Sequence, residues 1–265
     1  MTSTSTGRMK AWAEDRIGWV TFDNPARRNA VNIDMWNSIP DIVAKFVADD
    51  NVRVIVLRGE GDKAFVSGAD ISQFETQRSS AEAVAYYEEI ADRASRAIHE
   101  CDKPTIAMIH GYCIGGGVGV ALSCDLRIAA SDASFSIPAG RMGLGYRISS
   151  VKKLVDAVGL AKAKEIFFTG DRFDAEYAAK IGMVNRVVPK QELDPHVAAL
   201  ASRIAAQAPL TLTAFKKTAT MLLRSSPEMV TAECDALIRG CFESADYAEG
   251  RRAFAEKRAP VFSGR

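Results

Sequence analysis

Two glycine-containing segments of this 265-residue chain hold the residue types best suited to chemistry. Residues 110–119 read HGYCIGGGVG and follow an apolar run at 104–109, which predicts a buried strand passing through a glycine turn into a helix. Because glycine has no side chain, the backbone N–H groups at 115–117 can approach a ligand closely. Residues 65–71 (FVSGADI) are a second candidate for an exposed backbone amide. Two such amides, brought together, would form an oxyanion hole, which stabilises negative charge developing on a carbonyl oxygen.

The elements that must position these segments alternate between strand and helix. Apolar runs predict strands at 17–22, 52–57, 104–109 and 126–130. Helical spacing predicts helices at 34–48, at 81–101 and after Gly117. This alternation indicates an α/β core built from similar stacked units.

The pattern changes after about residue 190. Four helices are predicted there, separated by Pro or Ser, at 191–208, 210–224, 227–243 and 246–258. The first residues are rich in Ser and Thr and lack the apolar core of a signal peptide. We therefore expect a disordered leader at 1–8, an α/β core at 9–190 and a C-terminal helical region at 191–265.

Composition excludes several classes of protein. The net charge is +1, from 34 basic and 33 acidic residues, so neither nucleic acid nor a membrane surface is expected as a partner. No apolar run reaches the length of a membrane span. The five cysteines lack C-x-x-C spacing, which suits small buried hydrophobic residues in a reducing compartment, and we expect a cytoplasmic location. Motifs for metal, nucleotide-hydrolysis or nicotinamide sites are absent from the sequence.

Taken in order, the glycine segments and their flanks resemble the crotonase (enoyl-CoA hydratase/isomerase) superfamily. The likeness runs from about residue 17 to 262 and rests on segments 24–32 (NPARRNAVN), 63–71, 111–119, 124–129 (CDLRIA), 168–175 (FTGDRFDA), 182–188 (GMVNRVV) and 246–262. It implies a crotonase-like spiral of ββα units with a C-terminal helical region. It also implies a homotrimer or dimer of trimers with lyase or isomerase activity on an acyl-CoA thioester. Coenzyme A is then the carrier part of the substrate, and neither a separate cofactor nor a metal is implied.

The resemblance assigns roles to particular residues. Matched by position, the oxyanion-hole amides belong to Ala69 and Gly116, and a helix beginning at Gly116 would leave its N–H unpaired at the positive end of the helix dipole. The remaining implied contacts are to coenzyme A. They come from the loop residues Arg27, Arg28 and Ala30, from Ser67, Ala69, Asp70 and Ile71 in the first glycine segment, and from Phe254 and Lys257 in the last helix.

Two positions depart from the family pattern. Hydratases of this superfamily use two glutamates as general acid and base, and the matching positions here are Gly119 and Ala139. Neither residue can titrate or activate water, so two-glutamate hydration is not supported, and the isomerase pattern that keeps the second carboxylate fails as well. Tyr146 is the best remaining proton donor, with packing of the acyl pocket as its alternative role.

Other polar residues near the glycine segments have structural alternatives. Asp70 could cap the helix that follows it, and His110, at the end of a strand, could be purely structural. Gln73 and Glu75 could reach the pocket from a loop.

A weaker likeness connects the chain to methylmalonyl-CoA decarboxylase-type members of the superfamily. It rests on the loop 143–147 (GLGYR), the His-Gly start of the glycine segment and the tail 246–250 (DYAEG). Decarboxylation of a malonyl-type thioester needs an oxyanion hole but no base for C–C cleavage. The sequence therefore favours a base-poor enzyme reaction over hydration, with a non-catalytic acyl-CoA-binding or scaffold protein as the alternative.

Overall fold

The computed structural model of the protein describes residues 7–70, 81–223 and 227–265. The strands described are β1 (Arg8–Glu14), β2 (Ile17–Asp23), β3 (Val54–Gly59), β4 (Ala64–Val66), β5 (Thr105–Ile109), β6 (Tyr112–Ile114), β7 (Leu126–Ala130), β8 (Ser134–Ser136), β9 (Phe173–Asp174) and β10 (Arg186–Val188). The helices described are α1 (Ile33–Ala48), α2 (Ala81–His99), α3 (Gly116–Ser123), α4 (Ile148–Thr169), α5 (Ala175–Lys180), α6 (Leu193–Ala205), α7 (Pro209–Leu222), α8 (Pro227–Phe242) and α9 (Ala245–Glu256). The predicted α/β class with a helical C-terminal region is confirmed.

The strands form two sheets. The larger sheet has six strands in the order β1-β2-β3-β5-β7-β10, parallel throughout except for the antiparallel pair β1 and β2. The smaller sheet has the order β4-β6-β8-β9, in which β4, β6 and β8 run parallel. Consecutive strands β3 and β4, β5 and β6, and β7 and β8 thus place one member in each sheet. This repetition produces a spiral of ββα units.

The core lies on both faces of the larger sheet. Successive side chains of a strand point to opposite faces. Val54 and Val56 of β3 accordingly pack with Val197 of α6, whereas Ile55 and Leu57 belong to the larger cluster on the other face. Because both faces are covered, the central strands are continuous apolar runs, which is why the sequence predicts them well.

The first strand lies partly within the segment expected to be a leader. β1 begins at Arg8, which pairs with Asp23 of β2, whereas residues 1–6 lie outside the described residues. Most side chains of β1 are exposed because β1 forms the edge of its sheet. Burial therefore imposes little apolar alternation on this strand.

One sequence prediction about the glycine segment is wrong. The strand at 104–109 was expected to lead directly into the helix, but the short strand β6 stands between β5 and α3. Gly111 turns the chain from one sheet to the other with a φ of 53°. A Cβ atom at Gly111 would lie 2.0 Å from the carbonyl oxygen of Lys63, so only glycine fits at this turn.

Candidate active site

Three neighbouring parallel strands deliver their carboxyl ends to one place. β4 leads into residues 67–69, β6 leads through Gly115 into α3, and β8 leads into residues 137–139. Because parallel strands end at the same edge of a sheet, the segments that follow them emerge side by side. The fold therefore brings the two glycine segments together and places Ala139 next to them.

Gly116 is the first residue of α3. An N–H in the first turn of a helix has no intrahelical acceptor, so it is available to a ligand at the positive end of the helix dipole. The preceding Gly115 adopts φ 53° and ψ −110°, and its own N–H donates to the carbonyl oxygen of Ser136 at 2.8 Å. A Cβ at Gly117 would lie 2.1 Å from the carbonyl oxygen of Val66, so the glycine at 117 lets α3 approach β4 closely.

The backbone N–H of Ala69 points away from the neighbouring segment that contains Val31. Ala69 forms a parallel bridge with Val31, in which the Val31 N–H donates to the Gly68 oxygen at 2.9 Å and the Asp70 N–H donates to the Val31 oxygen at 3.0 Å. In extended chain, successive N–H groups point in opposite directions. The N–H of Ala69 therefore points away from Val31.

A cavity of about 210 Å³ lies where these segments meet, and both Ala69 and Gly116 line it. Gly119, Ala139 and Tyr146 line the same cavity. The three residues expected to be catalytic, Ala69, Gly116 and Tyr146, are thus brought together, and their roles stay predictions.

The two positions that lack the family's glutamates also face this cavity. A Cβ at Gly119 would meet no atom within 4 Å outside its own helical turn and chain neighbours, so this position has open space beside it. Ala139 is buried in the short 3-10 turn Pro138–Met142. The apolar surface at these two positions cannot accept or donate a proton.

The surroundings of Tyr146 are compatible with both roles considered for it, proton donor and packing residue. Its ring packs edge-on against Phe167, with ring centroids 5.0 Å apart, and its side chain lines the cavity. Burial, with a smaller contribution from the negative charge of Glu88, raises the pKa of Tyr146 to about 12. Tyr146 therefore keeps its proton at neutral pH and can serve as a hydrogen-bond or proton donor.

The sequence did not predict the carboxylates of this cavity. Glu88 and Asp92, both on α2, line it together with Ala91 and Ser95. These positions follow the i, i+3, i+4, i+7 spacing of one helical face. That spacing is visible in the sequence, but which face of α2 meets the cavity depends on how the helix packs.

The two carboxylates have different surroundings. The Nε of Arg147 lies 3.4 Å from Glu88. Asp92 accepts a hydrogen bond from Ser149 Oγ at 2.6 Å and one from Arg96 at 2.8 Å. Burial opposes the charge on Asp92, but these hydrogen bonds outweigh it and hold the pKa of this carboxyl below its ordinary value. Asp92 thus joins α2 to the first turn of α4.

Several residues expected to contact coenzyme A lie together beside Ala69. Arg27 Nη1 pairs with Asp70 Oδ1 at 3.2 Å, and Ser67 Oγ donates to the Arg27 oxygen at 3.1 Å. Ala30 is buried at the end of the same loop. Ile71, and with it Gln73 and Glu75, lies outside the described residues, so the capping alternative for Asp70 has no described helix to act on.

The side chain of Arg28 lies elsewhere, although its carbonyl oxygen accepts a hydrogen bond from the Ser67 N–H at 3.1 Å. Its guanidinium stands 4.8 Å from the ring centroid of Tyr112, and Arg172 stands 5.3 Å from the same centroid. These residues line a different cavity, of about 510 Å³, together with Lys63 and Lys190. The structure therefore separates the Arg28 guanidinium from the cavity lined by Ala69 and Gly116, and its expected contact with coenzyme A stays a prediction.

Phe254 and Lys257 are also distant from that cavity within one chain. Phe254 of α9 is 87% exposed and lines an apolar cavity of about 680 Å³ among the C-terminal helices. Lys257 ends α9 in the left-handed conformation, with φ 54°. The expected contacts of these two residues with coenzyme A stay predictions.

The remaining candidate residues, His110 and four of the cysteines, are buried. His110 is buried and does not line the cavity at Ala69; burial, followed by the positive charge of Arg58, lowers its pKa. Four of the cysteines, Cys101, Cys113, Cys124 and Cys234, are buried thiols, as the sequence predicts.

Two features are not found within residues 7–70, 81–223 and 227–265. Across the residues that the structure describes, no group of His, Cys, Asp and Glu could hold a metal ion. A membrane-spanning helix is likewise absent from the described parts of the chain.

Parallel strands that deliver two glycine segments to one cavity, in a spiral of ββα units, are typical of the crotonase fold. The family model of enoyl-CoA hydratase/isomerase matches residues 13–265, and the chain therefore belongs to this family of the crotonase superfamily.

Individual relatives agree over nearly the whole chain. A crotonyl-CoA hydratase of Syntrophomonas wolfei is 34% identical over 250 residues, covering 94% of this chain and 95% of the relative. A carnitinyl-CoA dehydratase of Citrobacter koseri is 33% identical, with 93% and 94% covered. The crystal structure of an enoyl-CoA hydratase/carnithine racemase from Magnetospirillum magneticum superposes with a TM-score of 0.94 at 36% identity, covering 98% of this chain and 97% of that one.

Proposed function

We propose that the protein is an enzyme that acts on an acyl-CoA thioester and stabilises its enolate through the N–H groups of Ala69 and Gly116. The observation that carries this proposal is that both residues line one cavity. The amide of Ala69 belongs to a residue that forms a β-bridge with Val31, and the amide of Gly116 belongs to the first residue of α3. Each such donor typically contributes about 2.7–4 kcal/mol to the transition state. The crotonyl-CoA hydratase and the carnitinyl-CoA dehydratase among the relatives carry CoA thioesters in their names, which supports the substrate class. Coenzyme A enters as part of the substrate.

Within this class we favour a reaction that does not require two carboxylates at positions 119 and 139. Decarboxylation of a malonyl-type thioester is such a reaction. The electron pair of the breaking C–C bond moves toward the thioester carbonyl, carbon dioxide leaves, and the enolate oxygen binds at the two amides. The α-carbon then takes up one proton. Tyr146, which keeps its proton at neutral pH, is suited to place the substrate and to donate a hydrogen bond.

A panel of CoA thioesters tests this proposal. Purified protein is incubated with enoyl-, malonyl-, methylmalonyl- and hydroxyacyl-CoAs, and the products are followed by mass spectrometry. We expect loss of carbon dioxide from a malonyl-type thioester and no addition of water to crotonyl-CoA. Rapid hydration of crotonyl-CoA would contradict the choice of reaction.

A second candidate is a non-catalytic acyl-CoA-binding or scaffold homologue. The observation in its favour is that Gly119 and Ala139 leave two family positions without an ionisable group. Under this alternative, calorimetry would detect acyl-CoA binding whereas the substrate panel would give no product.

We further propose that the protein is a homotrimer or dimer of trimers and that it is cytoplasmic. Large apolar side chains exposed on the C-terminal helices support assembly, namely Phe215, Ile238, Phe242 and Phe254. Sedimentation velocity with a Phe242→Ser variant tests it, because loss of an exposed apolar contact should shift an oligomer toward monomer. The five cysteines lack C-x-x-C spacing, which suits a reducing compartment.

A further inference from the structure

The cavity of the candidate active site has a mouth and an inner end. Among the described residues that line it, Met142 and Arg147 are exposed and stand at the mouth, whereas Trp36 and Tyr87 are only 3% and 4% exposed. A side chain that faces a cavity and is otherwise covered by protein forms the inner wall of that cavity. The chain of a ligand that enters at the mouth therefore ends against Trp36 and Tyr87.

A hydrogen bond joins Trp36 of α1 to Tyr87 of α2. The indole Nε1–H donates to Tyr87 Oη at 2.8 Å, in a place where both side chains are buried. Because a buried N–H that loses its acceptor is costly, this bond holds the indole in one orientation. The two rings thus form a fixed wall that does not swing out of the way of a ligand.

The ring of Trp36 lies beside one of the proposed oxyanion-hole residues. A Cβ at Gly116 would lie 3.6 Å from Trp36 Cζ2, which is the spacing of two carbon atoms in van der Waals contact. A thioester whose oxygen binds at the Gly116 N–H therefore places its carbonyl carbon close to this wall. Only a limited length of acyl chain fits between that carbon and the two rings.

The volume of the cavity gives the length of the chain that fits. A protein cavity of about 150 Å³ holds a benzene molecule, which has six carbon atoms. On that scale, a cavity of about 210 Å³ has room for roughly eight non-hydrogen atoms. The carbon, oxygen and sulfur of the thioester take three of these places, so the acyl group that fits ends at roughly its sixth carbon.

We infer that Trp36 and Tyr87 are specificity-determining residues that limit the substrate to acyl groups of about six carbons or fewer. This inference rests on the proposed function, since it requires the thioester oxygen to bind at Ala69 and Gly116. Each methylene that a ligand buries typically strengthens binding by about four-fold. Affinity should therefore rise with chain length until the chain reaches the two rings, and should rise no further beyond that length.

Calorimetry with acetyl-, butyryl-, hexanoyl-, octanoyl- and dodecanoyl-CoA provides the test. For the unaltered protein we expect affinity to rise from acetyl- to hexanoyl-CoA and to stop rising at octanoyl-CoA. Trp36→Leu removes part of the wall, so the affinity for octanoyl-CoA relative to hexanoyl-CoA should increase by at least about four-fold, the gain from one further buried methylene. Trp19→Leu is the matched control, because Trp19 packs on the other face of the larger sheet and stacks on Trp12.

The ratio of the octanoyl-CoA and hexanoyl-CoA affinities separates a specificity role from a structural one. A variant that only loses stability binds every thioester less well and keeps this ratio. Trp36→Phe, which keeps a smaller ring in the core, gives a second measurement if Trp36→Leu does not fold, and its ratio should change in the same direction.

Two results would overturn the inference. One is an affinity that rises steadily through dodecanoyl-CoA in the unaltered protein, and the other is a ratio in the folded Trp36 variants that equals the ratio in Trp19→Leu. In both cases thioesters are bound, so the proposed function stands without the inference. If no CoA thioester of any length is bound, the proposed function itself fails.

Discussion

Replacement of Gly116 by proline removes one proposed oxyanion-hole donor. Proline lacks the backbone N–H and is tolerated at the first position of a helix, which is the position of Gly116 in α3. The substitution therefore removes the proposed donor and places the ring Cδ where the N–H pointed, while the i→i−4 hydrogen bonds of α3 are kept, so the loss expected from the missing donor is a lower bound. Loss of one donor costs about 2.7–4 kcal/mol, which corresponds to a decrease in kcat of about 10²–10³-fold.

Gly116→Ala is the matched control. A Cβ at this position would lie 3.6 Å from Trp36 Cζ2 and 3.8 Å from Gly68, which is ordinary van der Waals contact, and the N–H is kept. The assay is the rate of product formation from the thioester that the panel identifies, with thermal melting of each variant as the check on folding. A Gly116→Pro protein that melts normally and turns over at the rate of Gly116→Ala would refute the assignment of this amide.

Three further predictions concern the walls of the cavity. Tyr146→Phe should lower turnover by at least about 100-fold if the hydroxyl donates the proton. The same variant tests the pKa of Tyr146, which is about 12 in the folded protein and about 10 in the unfolded chain. Urea unfolding of the unaltered protein should therefore show a loss of stability on the order of 2 kcal/mol as pH rises from 10 to 12, and the variant should not show it. Gly119→Ala should stabilise α3 by about 0.5–1 kcal/mol, because a Cβ at this position meets open space. Gly117→Ala should instead lower the free energy of unfolding by about 1–3 kcal/mol, because its Cβ would lie 2.1 Å from the Val66 oxygen. Equal effects of the two variants in urea titrations would contradict the packing described. Asp92→Asn should cost about 1.5–3 kcal/mol at neutral pH. Because the folded pKa of Asp92 is depressed, this difference should begin to shrink as pH falls below the unfolded pKa of about 3.9 and vanish only below the lower folded pKa, and a difference that persists in strong acid would count against it.

The sequence predicts the parts of the fold that burial constrains from both sides. β3 and β5 are covered on both faces, so their residues form apolar runs that can be recognised without a structure. β1 is an exposed edge strand, and β4, β6 and β8 have three residues each, too few to show a period. The second sheet was therefore not predicted.

The sequence likewise predicts some residues of the candidate site and misses others. The two glycine segments can be recognised from the local sequence, and the resemblance to the family points to Ala69 and Gly116 within them. Glu88 and Asp92 are missed because a helix carries polar residues on every exposed face, and only packing decides which of them meets a cavity. Arg28 and Phe254 line cavities other than this one, and no local pattern could show that separation.

Decarboxylation of methylmalonyl-CoA in D2O tests the enolate mechanism most directly. We predict that the product is propionyl-CoA carrying one deuterium at Cα, and that Gly116→Pro loses its formation while Gly116→Ala keeps it. Mass spectrometry of the product measures both the loss of carbon dioxide and the incorporated deuterium. Absence of this product, together with hydration of crotonyl-CoA that is equally fast in Gly116→Pro, would contradict an enolate held by Ala69 and Gly116.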